Sequence, residues 1–160
     1  MKNNGFTLIE LIVVIVIIGI LAATAAPKFI NLEADAHTAT LQAVKASMEG
    51  ASALVYGKAI VKGIHNEPTS FPTPPSITLA GGVIVYTHYG YPFGTDTEWK
   101  KLIDYDTDAF SIQKSTDSTR VYIYRKGKTV PTSTSDACIV HYTRSSGPNT
   151  KPVIGVNPCV

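Results

Sequence analysis

Apolar positions crowd the start of the chain and then thin into a stripe. From Phe6 to Ala26 the sequence reads FTLIELIVVIVIIGILAATAA, and only Thr7, Glu10 and Thr24 among these 21 residues are polar. A helix of that length is about 32 Å long at 1.5 Å per residue, enough to span a hydrocarbon core of roughly 30 Å. Pro27 follows. With no N–H and a ring that meets the carbonyl four residues back, it predicts a kink or a local break. Beyond it the helical period continues from Lys28 to about Ile64, on one side only. His37, Leu41, Val44, Met48, Ala51 and Val55 recur at spacings of 4, 3, 4, 3 and 4, with Asp35, Gln42, Lys45, Glu49 and Lys58 off that line. Such a stripe packs on a sheet, with His37 and Met48 as core residues. Gly50 and Gly57 each cost a helix about 1 kcal/mol relative to Ala, so they predict the close approach of another backbone.

The period then changes. Asn66 to Pro75 reads NEPTSFPTPP, and four prolines in ten residues exclude helix and central strand. Val83 to Tyr86, Phe110 to Ile112, Val121 to Tyr124, Cys138 to Tyr142 and Val153 to Val156 read as strands. Between the first two, Thr95-Asp96-Thr97-Glu98 has the form of a capping box, with Thr95 as N-cap, and Trp99, Leu102 and Ile103 share one face of a short helix. Turn residues cluster at Thr116-Asp117-Ser118, Lys126-Gly127-Lys128 and Ser145-Ser146-Gly147-Pro148. Consecutive strands without long helices between them predict an antiparallel sheet. The fold class is α+β: a long, kinked N-terminal helix packed by its second half on a C-terminal antiparallel sheet.

Composition sharpens this. Charged residues are 16% of the 160, against a usual ~25%. Fourteen Lys+Arg against twelve Asp+Glu, scattered along the chain, do not make a nucleic-acid footprint. A chain with so long an apolar segment belongs in a bilayer or an assembly rather than free in water. Lys2 and the α-amino group before it favour a cytoplasmic N-terminus. A secretory signal peptide would account for Ala23-Thr24-Ala25 as a cleavage site. It accounts neither for the length of the apolar run nor for Glu10. A plain anchor also leaves Glu10 unexplained, and an ionisable group in a bilayer costs roughly 2.5–3.5 kcal/mol and marks function.

One pattern uses all of these residues. Gly5-Phe6-Thr7-Leu8-Ile9-Glu10, after a short leader and before the apolar run, resembles the cleavage motif of type IV pilins and the related type II secretion pseudopilins. The resemblance implies a leader of residues 1–5, cut between Gly5 and Phe6 by a prepilin peptidase that then N-methylates Phe6. It implies a helix core of 6–26 that lies in the inner membrane before assembly. An amphipathic half-helix of 27–64 and a head of 65–160 would follow. Glu10 matches the family's glutamate, and Pro27 stands where many members kink. The Glu10 carboxylate could meet the Phe6 amine of its own chain or of a neighbour, because a buried charge is tolerated when paired. A finer resemblance, to the mannose-sensitive haemagglutinin branch, is carried by Ala25-Ala26-Pro27-Lys28-Phe29, Asn31-Leu32, Gly90-Tyr91-Pro92 and Ala137-Cys138.

The resemblance implies the major subunit of a pilus on the cell surface. Its partners would be copies of itself in a helical homopolymer and the pilus assembly machinery. Its use would be surface attachment, with motility as a further one, through a receptor the sequence does not name. The rivals are a type II secretion pseudopilin and a membrane-anchored periplasmic enzyme. Cys138 and Cys159 lie 21 apart, and the residues leave a bridge or two free thiols. The resemblance implies one disulfide closing a C-terminal loop, where major pseudopilins carry a calcium site instead. Chemistry is otherwise sparse. The four histidines lack metal-ligand spacing. Asp104-x-Asp106-x-Asp108 puts Ala109 and Ser115 where an EF-hand needs Gly and Glu. No G-x-S-x-G occurs. No catalysis, metal, cofactor or nucleic acid is therefore expected. The three tyrosines of Tyr86-Thr87-His88-Tyr89-Gly90-Tyr91 could bind sugar or a partner, or cover a sheet edge.

Overall fold

The structure is a computed structural model that describes residues 6–160, with the backbone alone over 25–31. Helix α1 runs from Leu8 to Lys62, 55 residues, or about 80 Å. The helix assignment passes through Pro27 without a break. The kink expected at Pro27 falls on side chains outside the described residues, as does the leader 1–5. Gly63 ends α1 in the left-handed region at φ 78°, which costs a glycine nothing sterically.

After α1 come β1 (Ser76–Thr78), a 3₁₀ turn, β2 (Ile84–His88), β3 (Tyr91–Pro92), α2 (Asp96–Leu102), β4 (Phe110–Lys114), β5 (Arg120–Arg125), β6 (Ile139–Thr143) and β7 (Val153–Asn157). All pairings are antiparallel, in two sheets: β1-β2-β3 and β4-β5-β6-β7. The second sheet and the helix α2 fall where the sequence puts them. The division into two sheets does not follow from the strand pattern. It has a local reason, because β3 is two residues long and closes on Pro92, which has no N–H with which to continue a ladder.

The stripe on α1 meets the head as expected. Leu41 and Met48 pack with Trp99, Ile103, Ile112, Val121, Ile123, Val140 and Tyr142 in one cluster. Val55 and Ala59 pack with Ile77 and Val85 in another. Burying a side chain of this size contributes roughly 1.5–3 kcal/mol. Tyr142 ties the sheets together: its ring stands edge-on to Trp99 at 4.6 Å and its hydroxyl donates to Pro92 O at 2.6 Å. Burial pushes its phenol well above the ordinary range. His37 differs from the core role expected of it. It ends the stripe half-buried, 3.2 Å from Glu33 and in contact with the Arg125 guanidinium. At the other end, Lys58 and Lys62 donate to Thr78 O and Ser76 O at 3.2 and 2.8 Å. They cover edge carbonyls of β1 that would otherwise invite another strand.

One expectation is corrected, and another finds no partner within the described residues. A Cβ built at Gly50 or Gly57 meets nothing within 4 Å. Among the described residues no backbone approaches either one, and both are exposed. The capping box at Thr95 does not form either. Thr95 is the N-cap of α2, but its side chain makes no cap bond. Glu98 is 3% exposed, and its carboxylate accepts from Tyr86 N and from Lys101 Nζ, both at 2.8 Å. The glutamate thus joins α2 to β2 instead of closing its own helix.

This division of labour has a measurable consequence. Removing the Glu98 carboxylate leaves the part-buried Tyr86 N–H without its acceptor and takes the charged one of Lys101's two acceptors, Ile84 O remaining, a loss of about 2 kcal/mol. Removing the Thr95 hydroxyl takes away no hydrogen bond. Chemical denaturation of the detergent-solubilised chain should find Glu98→Ala strongly destabilised and Thr95→Ala within about 0.5 kcal/mol of the parent. The reverse order would restore the capping box.

Candidate functional site

The functional residues read from the sequence fall in two places, the start of α1 and the C-terminal segment seated near the middle of α1. At the first, Phe6 is 77% exposed and every residue from Phe6 to Thr24 faces solvent. The helix begins at Thr7, whose hydroxyl accepts from Glu10 N at 3.3 Å. Glu10 reaches back, and its Oε2 accepts from Thr7 N at 2.8 Å and from Thr7 Oγ1 at 2.7 Å. Both halves of a capping box are present. Sequence reasoning missed this function of Glu10, although Thr7-x-x-Glu10 ahead of an apolar run is the recognised signal. Oε1 has no partner among the described residues, so the cap leaves one oxygen open. Gly5 lies outside the described residues. Among the described residues no helix is long and apolar enough to cross a membrane. The first described stretch of side chains on α1 stops at Thr24, inside the expected span of 6–26.

At the second, Cys138 and Cys159 form a disulfide. Cys138 sits at φ 59°, left-handed, just before β6. Both cysteines pack partly buried against the cluster that holds Leu41 and Met48. Cys159 N donates to Thr38 Oγ1 on α1 at 2.9 Å. The bridge therefore closes the β6–β7 segment and seats its end on the helix. Ahead of it, Asn157 Nδ2 donates to Thr134 O and Asp136 O at 2.8 and 2.6 Å. The Asp136 carboxylate accepts from Thr132 N and Ser133 N, which holds it below the usual carboxylate range. The loop between β5 and β6 is thus pinned from both sides.

Comparison with known proteins agrees with this geometry. Residues 1–26 match the prokaryotic N-terminal methylation motif. The type IV narrow pilus major component PilA5 of Thermus thermophilus is 42% identical over 81 residues, covering 51% of this chain and 68% of that protein. The chain belongs to the type IV pilins. The type IV major pilin protein PilA of Myxococcus xanthus is 64% identical over 33 residues, 21% of this pilin and 15% of its own length. No solved structure matches the pilin.

The three tyrosines of the pilin's β2–β3 segment do not form one cluster. Tyr91 is buried and stacks on Tyr56 at 4.4 Å. Tyr86 is exposed beneath Lys101, 5.5 Å from its ring. Tyr89 stands beside His88. Alternation along a strand sends neighbours to opposite faces. Gly90 makes the turn at φ 80°, and a Cβ there would lie 2.9 Å from both His65 and Tyr56. In the Asp104–Asp108 segment, Asp106 Oδ1 accepts from Asp108 N and Ala109 N at 2.8 and 3.3 Å. That carboxylate closes a turn.

The bridge is testable by its effect on the head. Replacing Cys138 or Cys159 by Ser should cost roughly 2–5 kcal/mol. The variants should accumulate as less pilin while keeping the leader cleavage expected of the parent. Non-reducing peptide mapping of the parent should yield one peptide pair joined through Cys138 and Cys159, and two free thiols there would remove the bridge.

Proposed function

We propose that this chain is the major structural subunit of a type IV pilus and polymerises through α1. The observation that carries the reading is the helix from Phe6 to Thr24, apolar on every side and covered by none of the described residues. Such a surface must be buried in lipid or against other chains. The named relatives, one a narrow-pilus major component and one a major pilin, support the second destination after the first. In this reading a prepilin peptidase cuts between Gly5 and Phe6 and methylates Phe6 while the apolar helix lies in the inner membrane. The new amine then meets the open oxygen of Glu10, on the same chain or a neighbour, and sets register. The pilus serves surface attachment and motility, as in the mannose-sensitive haemagglutinin branch. A structural subunit has no need of a catalytic site.

The outward face of α1 supports the same reading. Ala36, Ala39, Ala43, Ala46, Gly50, Ala53 and Gly57 repeat at spacings of 3 and 4, and all are exposed. They lie opposite Leu41, Met48 and Val55 and continue the apolar rod along the back of the head-bearing half. Small residues at this period let a second helix come close. The backbone that Gly50 and Gly57 accommodate belongs, in this reading, to another subunit.

The decisive experiment examines sheared surface filaments and a deletion strain by electron microscopy, with N-terminal sequencing and intact mass of the filament subunit. The expected result is loss of long thin filaments on deletion and a subunit starting at N-methylated Phe6. Retained filaments with blocked protein secretion would point to a pseudopilin, and a start at Ala26 or Pro27 to a signal peptide. Gly50→Leu separates folding from assembly. The chain has room for the side chain and gains about 0.5–1 kcal/mol of helix propensity. Thermal unfolding of the detergent-solubilised variant should therefore match or exceed the parent. Filament yield should fall by about tenfold, and normal piliation would remove the seam from the assembly.

A further inference from the structure

Three loops bring an aromatic surface together on the head, away from the helix faces and the disulfide. Phe71, between α1 and β1, is 71% exposed. Its ring stands 6.3 Å from that of Phe93 at an interplanar angle of 69°. The His88 ring lies 6.3 Å from that of Phe93 at an interplanar angle of 56°. The Arg144 guanidinium, from the segment after β6, sits 5.3 Å from the Phe93 centroid. Exposed phenylalanine in a chain this poor in charge is not itself unusual. The polar groups beside it are better defined than an incidental patch would require.

His88 Nδ1 accepts from Thr69 N at 2.8 Å. A backbone N–H can only donate, so the ring proton resides on Nε2. Burial and, after it, the Arg144 charge bring the His88 pKa down to about 4, which keeps the ring neutral in ordinary media. The Thr69 hydroxyl is engaged with Thr87 O at 2.7 Å. Nε2 has no partner and is not among the buried unpartnered atoms of the described residues, so its N–H reaches solvent. Arg144 is half-buried. Among the described residues its guanidinium has no carboxylate in reach and no hydrogen-bond acceptor; only its backbone N–H is engaged, with Thr119 O. The patch therefore presents two aromatic faces, one fixed N–H donor and a guanidinium whose five donors are open.

Few ligand classes use all four groups. A simple anion would engage Arg144 and leave Phe71 in water. A hydrocarbon would cover the rings and strand the His88 donor. A pyranose has one face of C–H bonds to lie on an aromatic ring and hydroxyls at its rim to accept from an N–H, as amphipathic contact surfaces require. A carboxylate on that ring matches the guanidinium fork. We propose that Phe71, Phe93, His88 and Arg144 form a binding site for an acidic saccharide, a carboxylate-bearing pyranose of the uronic-acid type. The site lies on the chain itself and does not depend on the pilus reading.

The test uses the full chain in neutral detergent micelles, titrated with trigalacturonate by calorimetry and by saturation-transfer NMR. Maltotriose supplies the sugar without the acid, and triglutamate the charge without the sugar. The expected result is saturable trigalacturonate binding, weakened by about tenfold or more in Phe71→Ala and in Arg144→Gln, with both control ligands weaker by a similar factor. Phe71 is exposed enough that its variant should melt with the parent, which keeps the test informative if Arg144→Gln folds poorly. No saturable binding, or an unchanged affinity in Phe71→Ala, overturns the site. Equal binding of triglutamate reduces it to an anion patch and overturns the saccharide assignment, and equal binding of maltotriose overturns the requirement for the acid.

Discussion

A helix that is apolar on every side for its first turns and apolar toward the head thereafter has to satisfy two different surroundings at once. Thirteen large apolar side chains between Phe6 and Leu21 stand exposed on the isolated chain. At roughly 1.5–3 kcal/mol each, leaving them in water costs on the order of 20–40 kcal/mol. A domain's whole stability is about 5–15 kcal/mol. The surroundings of that segment, and not the internal contacts of the head, therefore decide where the molecule can exist. The rest of the structure follows from this. The head must fold without help from the first part of α1, so it closes its core on Leu41 to Ala59 alone. It then secures its far end to the same helix through Cys159 and Thr38.

Glu10 is the one ionisable group inside the rod, and the structure gives it work before any second chain arrives. A carboxylate in an apolar environment costs roughly 2.5–3.5 kcal/mol, and a helix N-terminus offers unpaired N–H groups and a positive dipole end. Thr7 and Glu10 satisfy both conditions within one turn. Because a single oxygen of Glu10 takes both Thr7 contacts, the cap and an intermolecular ion pair are compatible. The glutamate can start the helix and still offer a charge to an amine.

The fold was legible wherever one residue's environment was set by its immediate neighbours. The β-branched and aromatic composition of Val121 to Tyr124 marked β5, and the stripe through Leu41, Met48 and Val55 marked the inner face of α1, which meets the head alone. β1 and β3 were not legible: three residues and two residues are too short to show a period. The two capping boxes show why local pattern fails. Thr7-x-x-Glu10 and Thr95-x-x-Glu98 are the same signal, and only the first forms. At Glu10 no other element competes for the carboxylate. At Glu98 the unpaired Tyr86 N and the Lys101 ammonium lie within reach, and a buried acceptor that satisfies both is worth more than a cap. Gly50 and Gly57 stay open for a related reason. Their openness was readable, but a single chain cannot say whether the neighbour is its own sheet or another copy. The methylation motif over residues 1–26 was legible because it is one contiguous stretch. The aromatic patch was hidden because Phe71, Phe93 and Arg144 come from three loops and His88 from the end of β2, and only the fold brings them together.

That contrast bears on how such a subunit can vary. The inner face of α1 is fixed by the head's core, and its outer face is held to alanine and glycine over 36–57 if close helix approach is to survive. A change on the inner face costs stability, and one on the outer face costs packing only if a second helix lies there. The loops are held differently. The segment from Asn66 to Pro75 is anchored at a few backbone points, Tyr89 N to Glu67 O and Thr69 N to His88 Nδ1 among them, and otherwise touches little. Side chains such as Phe71 can be replaced there with almost no effect on folding, which is where recognition groups accumulate on a rigid scaffold. The physical separation is along the helix axis and around it: faces that must be repeated in every copy lie on α1. The groups free to meet something other than a copy lie on the loops of the head.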